Sequence, residues 1–148
     1  MSDLRHAESF RDLIVYQKSR SAASSIFVVT KAFPREETYS LIDQVRRSSR
    51  SVGAQIAEAW AKRRYEKSFV SKLTDADAEQ QETQHWIEVS VQDGYLNNEQ
   101  ASCIITDLGE IGRMLNSMIR KADLFCGPDT ADKVREEVAE YILKDNAD

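Results

Sequence analysis

The chain has 148 residues, 41% of them hydrophobic and 30% charged, with a formal net charge of −5. That is the size and balance of one soluble domain able to bury a core without disulfides or metals. Five glycines and two prolines leave too few turn residues for an all-β fold, and no run of about 18 apolar residues is present to span a membrane.

In chain order, Ser9 with Asp12 three residues on is a helix-start signal. It predicts helix 1 over residues 10–32, with Leu13, Tyr16, Ala23, Ile26 (with Phe27) and Val29 as its apolar positions. Phe33-Pro34 ends it, because the residue before proline is pushed out of helical geometry. Helix 2 is predicted over 36–64. Leu41, Val45, Ser48, Val52, Ile56 and Ala59 form one stripe, and Arg47, Ser51, Ala54 and Glu58 a second, smaller and more polar one. Helix 3 is predicted over 67–92, with Phe69, Leu73, Ala76, Thr83, Ile87 and Val91 on one side, Trp86 beside them and Gln80 interrupting. Asp93-Gly94 closes it, glycine supplying the left-handed residue.

Asn97-Asn98 caps helix 4, predicted over 99–122. Its stripe is Ala101, Ile104, Ile105, Leu108, Ile111, Leu115, Met118 and Ile119. Gly109 and Gly112 interrupt it at about 1 kcal/mol each relative to Ala, a spacing that suits close approach of another backbone. A break at 125–129 precedes a short acidic helix over 130–144, with Val134, Val138, Tyr141 and Ile142 as its apolar side. Four long helices with short links predict an all-α, antiparallel up-down-up-down four-helix bundle over residues 1–124. Residues 125–148 form a C-terminal helical tail that is not an independent domain.

Signs of an enzyme are few. No phosphate-binding glycine loop, zinc-protease helix or nucleophile elbow occurs. Glu82-Thr83-Gln84-His85 is one Glu-x-x-His on a bundle helix, where di-iron bundles use two. The expectation is no catalytic residues, no metal and no cofactor. Cys103 and Cys126 are too few for a disulfide framework. No charged leader followed by an apolar stretch is visible. Together these predict a reducing, cytoplasmic setting without membrane attachment. Glu79 and Glu82 are expected to face the arginines of helix 2, Arg47 among them.

Charge is unevenly spread. Residues 1–72 carry 14 Lys and Arg against 8 Asp and Glu (14 − 8 = +6), and residues 73–148 carry 6 against 17 (6 − 17 = −11). Arg46, Arg47, Arg50, Lys62, Arg63, Arg64 and Lys67 crowd into one stretch. Two readings stand. The cations are a grip for RNA or DNA, with Trp60 and Tyr65 placed to stack on bases. Alternatively they are helix surface, favoured near a helix C-terminus by the macrodipole, with the aromatics packed on helix 3.

Several segments carry a resemblance to a known family. They are Asp12-Leu13-x-Val15-Tyr16-Gln17-Lys18 and Phe33-Pro34-x-Glu36-Glu37-x-Tyr39-x-Leu41, then Gln44-x-Arg46-Arg47-Ser48 with Ser51-Val52. Ile56-Ala57-Glu58, Glu82-Thr83 with Trp86, and Gly94-Tyr95-Leu96 follow. In order and spacing, over about residues 10–122, the chain resembles the bacterial four-helix-bundle family encoded by intervening sequences in 23S ribosomal RNA genes. It departs from the family's habit at Gly53, Ala59 and Ala78-Glu79.

The resemblance implies a homo-oligomer, a pentamer in the family, of largely unknown biochemical role. A similar protein, the accessory variability determinant of diversity-generating retroelements, binds nucleic acid and a reverse transcriptase through such a barrel. That implies a non-enzymatic nucleic-acid-binding scaffold, with the seven basic residues of helix 2 and its following turn as the interface. The alternative is a protein-interaction scaffold whose acidic second half docks a protein partner.

Overall fold

The computed structural model describes residues 7–127. Its long helices are α1 (Ile14–Thr30), α2 (Leu41–Ala61), α3 (Glu66–Gln92) and α4 (Asn98–Arg120), followed by one turn, α5 (Ala122–Phe125). Each long helix packs on the next and α4 returns to α1, which closes the four-helix bundle. The described residues contain no strand.

The local signals act much as elementary capping chemistry requires. Asn97 accepts from the Gln100 amide at 2.8 Å, while the Gln100 side chain accepts from the Asn97 amide, a reciprocal cap for α4. Gly94 has φ +83° and ends α3 as expected. Ser9 and Asp12 form the same kind of box, but around a 3-10 turn, Phe10–Asp12. Leu13 is extended (φ −76°, ψ 130°) and its side chain is buried, so α1 starts only at Ile14. Helix 2 also starts later than predicted. Arg35–Glu37 form a 3-10 turn, and Glu37 accepts from the Tyr95 hydroxyl at 2.9 Å, tying this corner to the α3–α4 loop.

The expected apolar stripes of α2 and α4 are the buried ones, with Ile105 and Ile119 at the margin, whereas the second stripe of α2 (Arg47, Ser51, Ala54, Glu58) is exposed or half-buried. On α1 the buried set is Val15, Ser19, Ala22, Ile26 and Thr30. Tyr16, Ala23 and Phe27 lie beside it, toward α2. The two core hydroxyls hide this register, because each is satisfied within its own helix. Ser19 donates to the Tyr16 carbonyl at 2.6 Å and Thr30 to the Ile26 carbonyl at 2.8 Å.

Gln80 does not interrupt the buried face of α3. It belongs to that face at 4% exposure, donating to Asp77 at 2.8 Å and accepting from Gln84 at 2.7 Å. The close approach at α4 is made by side chains. A Cβ added at Gly112 would fall 2.6 Å from Gln80 Nε2, whereas one at Gly109 meets only Arg113, at 3.6 Å.

After α4 the chain folds back. Phe125 is fully buried and stacks on Phe69, ring centres 5.7 Å apart, and Cys126 is buried beside it. The bundle core therefore extends past residue 124. The Gly127 amide donates to the Arg63 carbonyl at 3.4 Å, which puts the last described residue at the α2–α3 turn. The acidic helix expected over 130–144 lies outside the described residues.

Candidate nucleic-acid interface

The seven candidate cations fall into separate groups. At about 1.5 Å of rise per residue, Arg46 and Arg63 stand roughly 25 Å apart along α2, so one chain does not offer them as a single patch.

Arg46 and Arg50 face α1. Arg46 Nε donates to Thr30 Oγ1 at 2.8 Å and Nη2 to the Phe27 carbonyl at 3.4 Å, with its guanidinium 4.5 Å from the centre of the Phe27 ring. Those bonds hold the α1–α2 seam and leave Arg46 half-buried. Arg50 lies 5.5 Å from the same ring and is exposed. Arg20 of α1 joins this group and was absent from the sequence reading. It is exposed, 6.0 Å from the Tyr16 ring. Arg20 and Arg50 line a cavity of about 430 Å³ between α1 and α2, together with Tyr16, Phe27, Gly53 and Ala57. The signal that would have found Arg20 is its place between Tyr16, Ala23 and Phe27 at helical spacing.

Arg47 stands apart, on the side of α2 toward α3. It pairs with Asp43 at 3.7 Å with both side chains largely exposed, a bond worth roughly 0–1 kcal/mol. Its charge also reaches Glu79. Burial raises the Glu79 pKa above the ordinary carboxylate value, Glu82 and Asp75 add to that, and Arg47 opposes it. The expected relation between Glu79 and Arg47 is thus electrostatic proximity without a close ion pair in the structure.

Lys62, Arg63, Arg64 and Lys67 surround the α2–α3 turn. Arg63 is bound into it, its guanidinium 3.6 Å from the centre of the Trp60 ring and Nε donating to the Trp60 carbonyl at 2.9 Å. Burial lowers its pKa from the ordinary arginine value, and the Cys126 sulfur offsets part of that. Trp60 is only 7% exposed, which removes it from stacking on bases, whereas Tyr65 is 63% exposed. Lys62, Arg64 and Lys67 are exposed, and no described carboxylate pairs with them.

Elsewhere the chemistry is sparse. Cys126 is a buried thiol with its pKa pushed up to about 11, first by burial and then by Glu66, and Cys103 is exposed. Glu82 accepts from Trp86 Nε1 at 3.1 Å, and His85 is exposed with its ring 4.7 Å from that of Trp86. Among the described residues no cluster of three or more His, Cys, Asp or Glu is placed to hold a metal, and no helix is long and apolar enough to cross a membrane.

Comparison with known proteins fixes the lineage. The family model of the 23S rRNA-intervening sequence protein matches residues 11–117. The chain belongs to that family. A crystal structure of a protein of unknown function from the S23 ribosomal protein family of Bacteroides thetaiotaomicron VPI-5482 is similar, with a TM-score of 0.66 and 32% identity. The likeness covers 72% of this chain and 96% of that one. Comparison with functionally curated proteins gives no match. The matched range of this intervening-sequence protein contains every candidate cation and Arg20, and stops short of α5 and the residues after it.

Proposed function

We propose that this intervening-sequence family protein is a non-enzymatic, homo-oligomeric scaffold in the cytoplasm that binds RNA or DNA through the cations at its α2–α3 turn. Lys67 is the observation that carries this reading. The helix macrodipole accounts for Lys62, at the C-terminal end of α2. It does not account for Lys67, which lies in the first turn of α3, where the dipole disfavours a cation. An exposed, unpaired Lys67 beside exposed Lys62, Arg64 and Tyr65 is costly to the helix and useful to a phosphate backbone.

Binding would proceed by counterion release, with the exposed Tyr65 ring available to stack on an unpaired base. A pentamer, as the family resemblance implies, would present five copies of the turn and multiply the contacts. Tyr39 at 95% exposure and Val28 at 59% are large apolar side chains left in solvent at the opposite end of α2, and a neighbouring copy would cover them. The nucleic-acid reading also draws on the resemblance, read from the sequence, to the accessory determinant of diversity-generating retroelements.

The test is fluorescence anisotropy with a structured RNA and a duplex DNA, on protein sized by light scattering. Wild type should bind, and Lys62→Glu/Arg64→Glu/Lys67→Glu should lose binding while keeping its oligomeric size. A well-formed oligomer that binds neither probe would overturn the reading and favour a protein partner on the acidic second half.

A further inference from the structure

Tyr65 is the residue of the α2–α3 turn that the fold does not explain. It stands at the N-cap of α3 in extended geometry (φ −118°, ψ 106°), and its side chain makes no capping hydrogen bond. Serine, threonine, aspartate and asparagine are the residues that cap a helix there. Tyrosine forgoes that bond and leaves a large ring 63% exposed. No aromatic ring or cation among the described residues contacts it. Its backbone, in contrast, is fixed. The Tyr65 amide donates to the Lys62 carbonyl at 2.9 Å, and the Tyr65 carbonyl accepts from the amide of Phe69, a core residue, at 3.0 Å. The turn thus holds an unpacked ring on an ordered base.

The surroundings of the ring are basic. Residues 62–67 carry four Lys and Arg against one acid, Glu66 (4 − 1 = +3). Arg63 is tied to Trp60, and Glu66 lies in the first turn of α3, where the helix dipole favours an acid. Glu58, near the end of α2, is engaged by Lys72 at 3.2 Å. Lys62, Arg64 and Lys67 remain exposed beside Tyr65, with no described carboxylate paired to them.

Charge and ring select different ligands. Cations alone favour a duplex, which carries the denser phosphate charge and gives the steeper salt slope, about 0.9 against about 0.7 per contact. A ring stacks only on a base whose face is free, which a single strand offers and a duplex does not. Trp60 is buried and takes no part, so each copy carries one such platform. We infer that the α2–α3 turn takes single-stranded nucleic acid, one unpaired base stacking on the Tyr65 ring while Lys62, Arg64 and Lys67 hold the backbone phosphates. This rests on the proposed nucleic-acid binding at the turn and adds the class of ligand.

The full chain, sized by light scattering, is titrated by fluorescence anisotropy with an unstructured single strand and with the matching duplex. Each probe is used as RNA and as DNA, which tells the two backbones apart. Wild type should prefer the single strand. Tyr65→Ser should weaken single-strand binding by about 5- to 150-fold, the range of one stacked base, and leave duplex binding unchanged. Its salt slope should match wild type, because stacking releases no counterion. Tyr65→Phe keeps the ring and should keep the binding. Serine supplies the missing cap, so Tyr65→Ser should melt no lower than wild type, which separates a lost platform from a lost fold. A wild-type preference for the duplex would overturn the inference, as would a Tyr65→Ser protein that binds the single strand as wild type does or loses both ligands equally. In each of those cases nucleic-acid binding by wild type still stands. Binding of none of the probes by wild type would overturn both.

Discussion

The two flanks of α2 contrast sharply. Toward α3 it makes the most extensive helix interface of the bundle, closed by apolar side chains and a buried hydroxyl pair, Thr83 Oγ1 donating to Ser48 Oγ at 2.8 Å. Toward α1 the interface is smaller, held by Arg46 on Thr30 and Phe27 and by the close approach of Gly53 to Tyr16 and Ser19, with a groove running beside it. One helix can thus build a core on one side and leave a surface for something else on the other. Substitutions should read out that difference.

The largest effect belongs to the closed flank. Phe69→Ala removes a buried ring stacked on Phe125 and should cost about 3–5 kcal/mol in a denaturant titration. Thr83→Val deletes a buried hydroxyl that bonds both Ser48 and its own helix, and should cost about 1–2 kcal/mol in the same assay. On α4 the two glycines should part in sign. Gly112→Ala displaces Gln80 from its bond to Asp77 and should destabilise by roughly 1–2 kcal/mol. Gly109→Ala meets only the Arg113 side chain, at ordinary contact distance, and should stabilise by about 0.5–1 kcal/mol. On the open flank, Ala54→Gln at an exposed groove position should move stability by less than about 0.5 kcal/mol. Equal costs on both flanks would refute the contrast.

Titration sharpens the same picture. The Cys126 pKa is raised to about 11, so the folded state holds that proton more tightly than the unfolded chain does. Its contribution is complete below the ordinary thiol pKa and should fall away as pH rises from there through about 11. Replacing Cys126 with Ser should remove that part of the alkaline decline in melting temperature. A maleimide reagent at neutral pH should modify exposed Cys103 and spare buried Cys126 in the native protein. Glu79 has the same sign at acid pH. Its raised pKa means stability is lost as the carboxylate ionises, so Glu79→Gln should stabilise at neutral pH and not below the carboxylate range.

The bundle itself was legible because apolar residues on α2 and α4 recur at helical spacing without competition, and Gly94 and Asn97 mark real helix ends. Three features were not. The core register of α1 is carried partly by Ser19 and Thr30, hydroxyls that bond to their own helix, while Tyr16 and Phe27 advertise the neighbouring face. The capping box at Ser9 was visible, but the extended Leu13 that stops it from starting a long helix was not. Within the basic stretch, sequence treats seven cations alike. Packing commits Arg46 to Thr30 and Arg63 to Trp60, leaves Lys62, Arg64 and Lys67 in solvent, and adds Arg20. No linear pattern separates a tied guanidinium from a free one.

The most direct test of the central claim is the salt dependence of binding to a duplex DNA. Wild type would be compared with Lys62→Ala/Arg64→Ala/Lys67→Ala and with Arg20→Ala/Arg50→Ala. If the α2–α3 turn carries the phosphate contacts, the triple variant should lower the slope of log Kobs against log salt by about 0.9 per lost contact, and the groove variant should leave it nearly unchanged. A slope untouched by the triple variant, with binding intact, would contradict the account and return Lys62, Arg64 and Lys67 to ordinary helix surface.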